Sequence, residues 1–341
     1  MKKKIIISVA FILLMVILIA MLTPLLMPKG AEERLTGEYY EQAGGNDVIF
    51  LGDCEVYETF IPAILWEEYG ITSYVRGSPQ QLIWQSYYIL EETFKYEKPK
   101  AVVFNVYAMK YGTPQNEKNN RMTLDSMKWS TSKINAIRAS MTEDESFIDY
   151  LIPFLGHHSR IGDLTETDFK YWFSDPPAAS DSGYLMNIGV KPKQDGHALT
   201  PYGGLEFSQT AFDYLDKMKS LCEENGTELI LVKAPTNSWG FYWYDEYEEQ
   251  IVDYANKNGL KYYNLINHEE EIGLDWNIHT HDEGMHLNVY GAEKTTSYFG
   301  RFLVEDCNIP DRRSDAEAVK KWTNNLSVYK ERKNKLEANK K

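Results

Sequence analysis

Short, uninterrupted apolar runs alternate along the chain with longer stretches in which apolar side chains recur at helical spacing. A continuous apolar run of a few residues is typical of a buried strand, whereas the longer pattern is typical of a helix. The predicted strands are 46–51, 72–75, 100–106, 228–234 and 260–265, and the predicted helices are 55–69, 80–96, 208–224, 245–258 and 290–305. Such alternation requires parallel strand pairing with right-handed crossovers. We therefore predict an α/β fold with a parallel sheet flanked by helices.

The N-terminus has the pattern of a membrane anchor. The letters MKKK precede an apolar run, 5–27, that contains no charged residue. A run of this length spans a bilayer as one helix, and the lysines before it favour a cytoplasmic N-terminus. A cleaved signal peptide is the alternative, but its apolar core is usually only about 7–15 residues long and ends at a site of small residues. We expect an uncleaved transmembrane helix, 1–27, with the rest of the chain outside the cytoplasm.

Four segments follow from this pattern. Residues 28–45 are polar and contain glycine, so we expect a linker there. Residues 46–310 form the α/β domain, interrupted at about 107–207 by an insertion too long for an ordinary loop. Its aromatic side chains either shape a substrate cleft or form a small local core. Residues 311–341 are expected to form a charged helical tail that packs weakly.

Charge and cysteine content narrow the functional classes. The net charge is −14, and the middle of the chain is more acidic than the whole because the extreme N-terminus and the tail are basic. Such a surface repels nucleic acid, so we expect no nucleic-acid partner. The cysteines are Cys54, Cys222 and Cys307. We expect three free thiols, with a Cys222–Cys307 disulfide as the alternative.

The stretch VIFLGDCE places a nucleophile where the first strand passes into the first helix. In open α/β sheets, ligands bind beyond the carboxyl ends of the strands. Cys54 at this position would face a cleft, and the positive end of the helix would lower the pKa of its thiol. The alternative is a buried and inert cysteine.

A second polar cluster, HTHDEGMH, precedes the last predicted helix. A nucleophile needs a general base nearby, and the base needs a third group to orient it. His286 is the predicted base, and either Asp282 or Glu283 is the orienting acid. The alternative is a metal site, because His279, His281, Asp282 and His286 are ligand types that zinc prefers.

Four motifs in order, Gly-Asp-Cys, Gly77 in YVRGSPQQ, Asn105 in AVVFNVY, and the late Asp…His, resemble those of the GDSL/SGNH hydrolase superfamily. The resemblance covers about 48–303 and implies a three-layer, flavodoxin-like parallel sheet. It also implies that Gly77 and Asn105 hold the oxyanion, together with the backbone N–H of Cys54. Two positions depart from the pattern. The nucleophile is Cys54 where the superfamily has serine, and Asp282, the acid type usual in the superfamily, lies four residues before His286 rather than three.

Glu55 after the nucleophile, together with the N-terminal anchor, resembles the membrane-anchored branch that serves lipoteichoic acid D-alanylation or works beside membrane-bound O-acyltransferases. This implies an acyltransferase or esterase acting on acetyl or D-alanyl-type esters of a cell-envelope polysaccharide or teichoic acid. A membrane-bound O-acyltransferase would be a partner, and no cofactor or metal is expected. Asp53 and Glu55 would bind substrate. The alternative is a catalytically inactive binding or scaffold subunit of a cell-wall acylation complex.

Overall fold

The computed structural model describes residues 2–201 and 204–340, and its centre is a five-stranded parallel sheet. The strands are β1 Val48–Gly52, β2 Ser73–Gly77, β3 Ala101–Asn105, β4 Glu228–Lys233 and β5 Lys261–Asn264, in the order β2-β1-β3-β4-β5. The predicted α/β fold class is confirmed. This strand order is flavodoxin-like, and it places the topological switch point, where such sheets bind ligands, between β1 and β3.

The described α-helices surround the sheet and fill the segments between its strands. They are α1 Lys2–Leu26, α2 Ala31–Gln42, α3 Cys54–Tyr57, α4 Pro62–Tyr69, α5 Ile83–Thr93, α6 Glu117–Leu124, α7 Thr131–Ser140, α8 Phe147–Leu151, α9 Pro153–His157, α10 Glu166–Lys170, α11 Gln209–Asn225, α12 Asp245–Asn258, α13 Glu269–Ile272, α14 Val289–Glu305 and α15 Ala316–Asn339. Short 3₁₀ helices are Val106–Lys110, His158–Asp163, Trp239–Phe241 and Leu265–His268.

Alternate residues of the strands supply two separate cores. Ile49 and Leu51 of β1 face the core formed with α5, α7, α11 and α12. Val48 and Phe50 face the opposite core, formed with α4 and α14. Because successive side chains of a strand point to opposite faces, an unbroken apolar strand is the expected sequence for a sheet covered on both sides. The result is a three-layer arrangement.

The first predicted helix, 55–69, is broken into α3 and α4. Pro62 is the first residue of α4, and Ile61 before it is extended, with φ −108° and ψ 103°. A proline lacks the N–H that a helix needs and disfavours helical backbone in the residue before it. As a consequence, only one short turn of helix follows β1, and Cys54 begins it.

Two segments predicted to be loosely attached are instead packed on the domain. The predicted linker 28–45 contains α2, whose Leu35 and Tyr39 lie one turn apart and are buried in different cores. The predicted tail is helical but does not pack weakly. Trp322 of α15 is buried and stacks on Trp66 of α4, with ring centroids 6.1 Å apart. Tyr329, two turns further on, is buried on the same face.

The helix α1 is long and apolar enough to cross a membrane, with a mean hydropathy of 3.3 in its most apolar window. Its side chains are exposed until the last turn, where Leu25 and Leu26 are buried against the domain. The three cysteines, all in the described part of the chain, are free thiols.

We predict that Trp322→Ala lowers the free energy of unfolding by about 3–5 kcal/mol, because it empties a large buried site. The measurement is chemical denaturation of the full chain in detergent. Val328→Ala on the same helix is the control, because Val328 is 43% exposed and its truncation should change stability by less than about 0.5 kcal/mol. Equal effects of the two substitutions would contradict the packing of α15.

Candidate active site

The turn that carries the predicted nucleophile, residues 52–54, follows directly from the end of β1, and we call it the nucleophile turn. Gly52 has φ +155°, and a Cβ atom there would lie 2.6 Å from Val56 Cγ2, so only glycine fits. Asp53 then caps α3: its Oδ1 accepts a hydrogen bond of 3.2 Å from the backbone N–H of Glu55. Cys54 is the first residue of α3 and is half-buried. The structure therefore holds its thiol at the carboxyl edge of the sheet.

The loop between α13 and α14 brings His286 and Asp282 together. Both oxygens of Asp282 bind His286: Oδ2 lies 2.5 Å from Nδ1, and Oδ1 accepts the backbone N–H at 2.8 Å. Positive φ values at Glu283 (69°) and Gly284 (96°) let the loop accommodate the additional residue. The Glu283 carboxylate instead binds Lys191, at 2.7 Å. Of the two candidate acids, Asp282 is the one at His286.

The second ring nitrogen of His286 faces Cys54, the predicted nucleophile. With Nδ1 held by Asp282, Nε2 is buried without a hydrogen-bond partner among the described residues. Burial alone would lower the pKa of His286, but the charge of the neighbouring Cys54 and the hydrogen bond to Asp282 raise it well above its usual value. Burial raises the pKa of the Cys54 thiol, although His286 opposes this effect. The thiol is therefore protonated at neutral pH, and the part of the rise in the His286 pKa that depends on the Cys54 charge arises only when the thiol has lost its proton.

A second histidine–carboxylate pair lies against the first. His281 Nε2 is 2.7 Å from Glu58 Oε2, and the same oxygen is 3.5 Å from His286 Nδ1. Gly189 N–H donates to the Oδ1 of Asn187, so the Nδ2 of Asn187 is free to donate to His281 Nδ1 at 3.0 Å. The Nδ1 of His281 is thus a hydrogen-bond acceptor, and its Nε2–H donates to Glu58. The chain Asn187–His281–Glu58 places a second carboxylate beside His286.

The same four side chains could hold a metal ion. Donor atoms of Glu58, His281, Asp282 and His286 all lie within 4.8 Å of one another. His279 is not among them, because its Nδ1 accepts the backbone N–H of Asp275 at 2.8 Å. Two histidines and two carboxylates suit zinc chemically. A cation here would displace the hydrogen bond between His286 and Asp282, so binding a metal and orienting the base are competing uses of the cluster.

The two predicted oxyanion residues lie beside the nucleophile turn, but the side-chain amide of Asn105 already donates to two carboxylates. Gly77, paired with Gly52 across the sheet, packs so tightly that a Cβ atom would be 3.1 Å from the carbonyl oxygen of Asp53. Asn105 is fully buried, and its Nδ2 donates to Glu55 Oε2 at 2.9 Å and to Asp53 Oδ1 at 3.3 Å. An oxyanion role for Asn105 would require its amide to leave these carboxylates.

Asp53 and Glu55 are interior residues, which departs from the expectation that they bind substrate. Glu55 is 1% exposed and forms an ion pair with Lys233, whose Nζ lies 2.9 and 2.8 Å from the two carboxylate oxygens. Lys233 is 0% exposed and also binds the carbonyl of Ala234 at 2.7 Å. Burial and the charge of Glu55 raise the pKa of Asp53 to about 6. Both carboxylates lie beneath the nucleophile turn.

Sequence reasoning missed Lys233 and Glu58. Lys233 ends the otherwise apolar run ELILVK at the carboxyl edge of the sheet, and an ion at the end of a buried strand is a signal for a buried partner. Glu58 lies four residues after Cys54, about one helical turn on, and this spacing predicts a carboxylate on the same side as Cys54. Their partners are distant in sequence, and the pattern alone did not identify them.

An aromatic wall adjoins the base. Phe241 contacts His286 edge-on with ring centroids 5.4 Å apart and contacts Tyr107 at the same distance. Lys110 Nζ lies 3.4 Å from the centre of the Tyr107 ring. Burial lowers the pKa of Lys110 to about 8, although the negative charge of Asp53 opposes this effect. Phe241, Tyr107 and Lys110 line a cavity of about 220 Å³. The same cavity is also lined by Tyr242 and Tyr244.

Comparisons with known proteins add little to this geometry. No family profile and no curated protein sequence matches the chain. One similar solved structure is a Bacteroides fragilis protein provisionally described as an acylhydrolase. The alignment covers 82% of this chain and 98% of that one, with 12% identity and a TM-score of 0.38. A similarity this distant carries no argument about activity, so the functional inference rests on the site itself.

We predict that Lys233→Met lowers the free energy of unfolding by about 3–5 kcal/mol, because it leaves the Glu55 carboxylate buried without its counter-charge. The double variant Lys233→Met/Glu55→Gln should recover a large part of this loss. Lys330→Met is the matched control, because its ion pair with Glu67 is exposed and worth about 1 kcal/mol or less. Additive losses in the double variant would contradict the coupling.

We also predict an upward-shifted pH profile for alkylation of Cys54 by iodoacetamide, followed by peptide mass. Because burial raises the pKa of the thiol above its usual 9.0, the rate should still be rising above that pH. His286→Ala should move the midpoint higher, since His286 lowers the pKa, and Glu58→Gln should move it lower, since the Glu58 charge raises it. A plateau already reached at neutral pH would indicate a preformed thiolate and contradict this description.

Proposed function

We propose that the chain is a membrane-anchored acyltransferase or esterase that acts on small acyl esters of a cell-envelope polymer through Cys54, His286 and Asp282. One observation supports it most. Asp282 binds the Nδ1 of His286, and the Nε2 of His286 faces the Cys54 thiol with no other partner in residues 2–201 and 204–340. A nucleophile, a base and an orienting acid in that order are the arrangement that covalent acyl transfer requires.

The proposed reaction has two halves. His286 Nε2 takes the proton of the Cys54 thiol as the sulfur attacks the acyl carbonyl carbon. The ester C–O bond then breaks, the departing alcohol oxygen receives the proton from His286, and a thioester remains on Cys54. In the second half, His286 removes a proton from an acceptor hydroxyl or water, whose oxygen attacks the thioester and releases the Cys54 thiol. No redox step or cofactor is involved.

The carboxylates around His286 support its role as the base. Asp282 holds the ring through one hydrogen bond to Nδ1 and accepts a second from the backbone N–H of His286, and Glu58 Oε2 lies 3.5 Å from Nδ1. Negative charge on this side stabilises the imidazolium that forms when the thiol loses its proton. The protonated thiol of the resting site then becomes a nucleophile only while the base holds its proton.

The surroundings of the site favour a polymer with many hydroxyl groups. A cavity of about 560 Å³ combines aromatic side chains such as Trp239 and Tyr242 with polar ones such as Asn237. Its lining meets the His286 loop at Asn237, whose backbone N–H donates to the carbonyl of Gly284 at 2.9 Å. Aromatic and hydrogen-bonding side chains together are well suited to sugar or polyol chains. We propose a polysaccharide or teichoic acid as the acceptor, and a membrane-bound O-acyltransferase as the partner that supplies the acyl group beside α1.

The proposal predicts slow hydrolysis of p-nitrophenyl acetate by the full chain in detergent. Cys54→Ala should abolish it, and His286→Ala should lower the rate by on the order of 10²–10⁴-fold, because that is the usual contribution of a general base. Asp282→Asn should lower it as well. Glu283→Gln is the matched control and should hydrolyse like the wild type, because its carboxylate binds Lys191 instead of His286.

Two outcomes would overturn the proposal. Hydrolysis that persists in Cys54→Ala but disappears with a chelator and returns with Zn²⁺ would favour a metal hydrolase at Glu58, His281, Asp282 and His286. A failure of the wild type to react with any activated acyl ester, together with retained binding to the polymer, would favour a non-catalytic subunit of an acylation complex.

A further inference from the structure

The insertion meets the last turns of α1 at specific points. Trp172 Nε1 donates a hydrogen bond of 2.7 Å to the carbonyl of Met21. Arg160 donates to the carbonyl of Leu26. Lys29, which follows α1 and lies outside the insertion, donates from Nζ to the carbonyl of Pro24 at 2.8 Å. α9, α10 and the 3₁₀ helix His158–Asp163 all contact α1. The end of the anchor is therefore fixed to this part of the domain.

This part of the insertion, 153–173, exposes large apolar side chains. The exposed fractions are 37% for Leu155, 62% for Ile161, 56% for Phe169 and 71% for Phe173. Phe173 stacks on Trp172, with ring centroids 4.9 Å apart. We call Leu155, Ile161, Phe169, Trp172 and Phe173 the collar. An apolar surface of this kind, next to a polar rim, marks an interaction site in soluble domains.

The position of the collar along α1 indicates what covers it. Ile5 to Leu26 would measure about 33 Å as a helix, close to the roughly 30 Å thickness of a bilayer core. Trp172 meets α1 at Met21, five residues before Leu26, which corresponds to about 8 Å along the axis. If α1 spans the bilayer, Trp172 and its neighbours reach the boundary between acyl chains and headgroups.

We propose that the collar is embedded in the outer interface of the lipid bilayer. This inference rests on the proposed anchor and adds a second contact with the membrane. Tryptophan and long cationic side chains both anchor membrane proteins at the interface. Lys29, Lys170 and Arg160, which is paired with Asp168, lie beside the collar. With both contacts, the domain keeps one orientation on the membrane instead of swinging on a flexible tether.

Fluorescence quenching of the full chain in liposomes tests this. The parent is Cys54→Ser, in which the two remaining cysteines, Cys222 and Cys307, are buried. Four variants of it each carry one additional cysteine, which is labelled with a small fluorophore: Ile161→Cys, Phe173→Cys, Ile278→Cys and Leu13→Cys. Ile278 is 51% exposed and belongs to none of the elements that contact α1, so it is the matched control. Quenchers are lipids spin-labelled near the headgroup, lipids spin-labelled deep in the chain, and aqueous iodide.

We expect the labels at 161 and 173 to lose most of their emission to the shallow lipid quencher and little to iodide, with the opposite result at 278. Quenching at 161 and 173 equal to that at 278 would overturn the collar, provided that the label at 13 is quenched by the deep lipid. Labels shielded from both iodide and lipid would indicate a protein partner and also contradict it. A label at 13 that the deep lipid does not quench would remove the anchor and the collar together, while leaving the proposed chemistry untouched.

Discussion

The ion pair between Glu55 and Lys233 is the interaction on which the rest of the site depends. It joins the turn after β1 to the end of β4, and the amide of Asn105 at the end of β3 binds the same carboxylate. Moving two charges out of water costs several kcal/mol per ion, so they are tolerated only when each finds its partners. The ends of β1, β3 and β4 must therefore be in register for the turn that carries Cys54 to be stable.

The site above this ion pair combines two histidine–carboxylate pairs of different reach. Asp282 binds His286 within one loop, whereas Glu58 connects α3 to that loop through His281. In the proposed mechanism the first pair orients the base, and the second connects the loop to α3 beside Cys54. Asp282 reaches His286 although it lies four residues before it, because the left-handed backbone at Glu283 and Gly284 takes up the additional residue.

The sequence predicted those features that local patterns determine. The five strands were predicted because each is a short apolar run. Cys54, Asp282 and His286 were predicted from motifs after the first strand and before the last helix; the structure brings them together, and their catalytic roles stay a prediction. The break before α4 was missed although Pro62 is a local signal. Lys233, Glu58 and the availability of Asn105 depend on contacts across 178, 223 and 50 residues, and no local pattern contains them. The packing of α2 and α15 could not be predicted either. Each has few apolar side chains, and the surfaces that these side chains cover are formed by residues distant in sequence.

The most direct test of the account is the intact mass of the full chain after brief reaction with an activated acetyl ester, followed by peptide mapping. The account predicts a single acetyl adduct on Cys54 that hydroxylamine removes, that forms much more slowly in His286→Ala, and that is absent from Cys54→Ala. An adduct located on any residue other than Cys54, or one that forms equally fast without His286, would contradict the proposed mechanism.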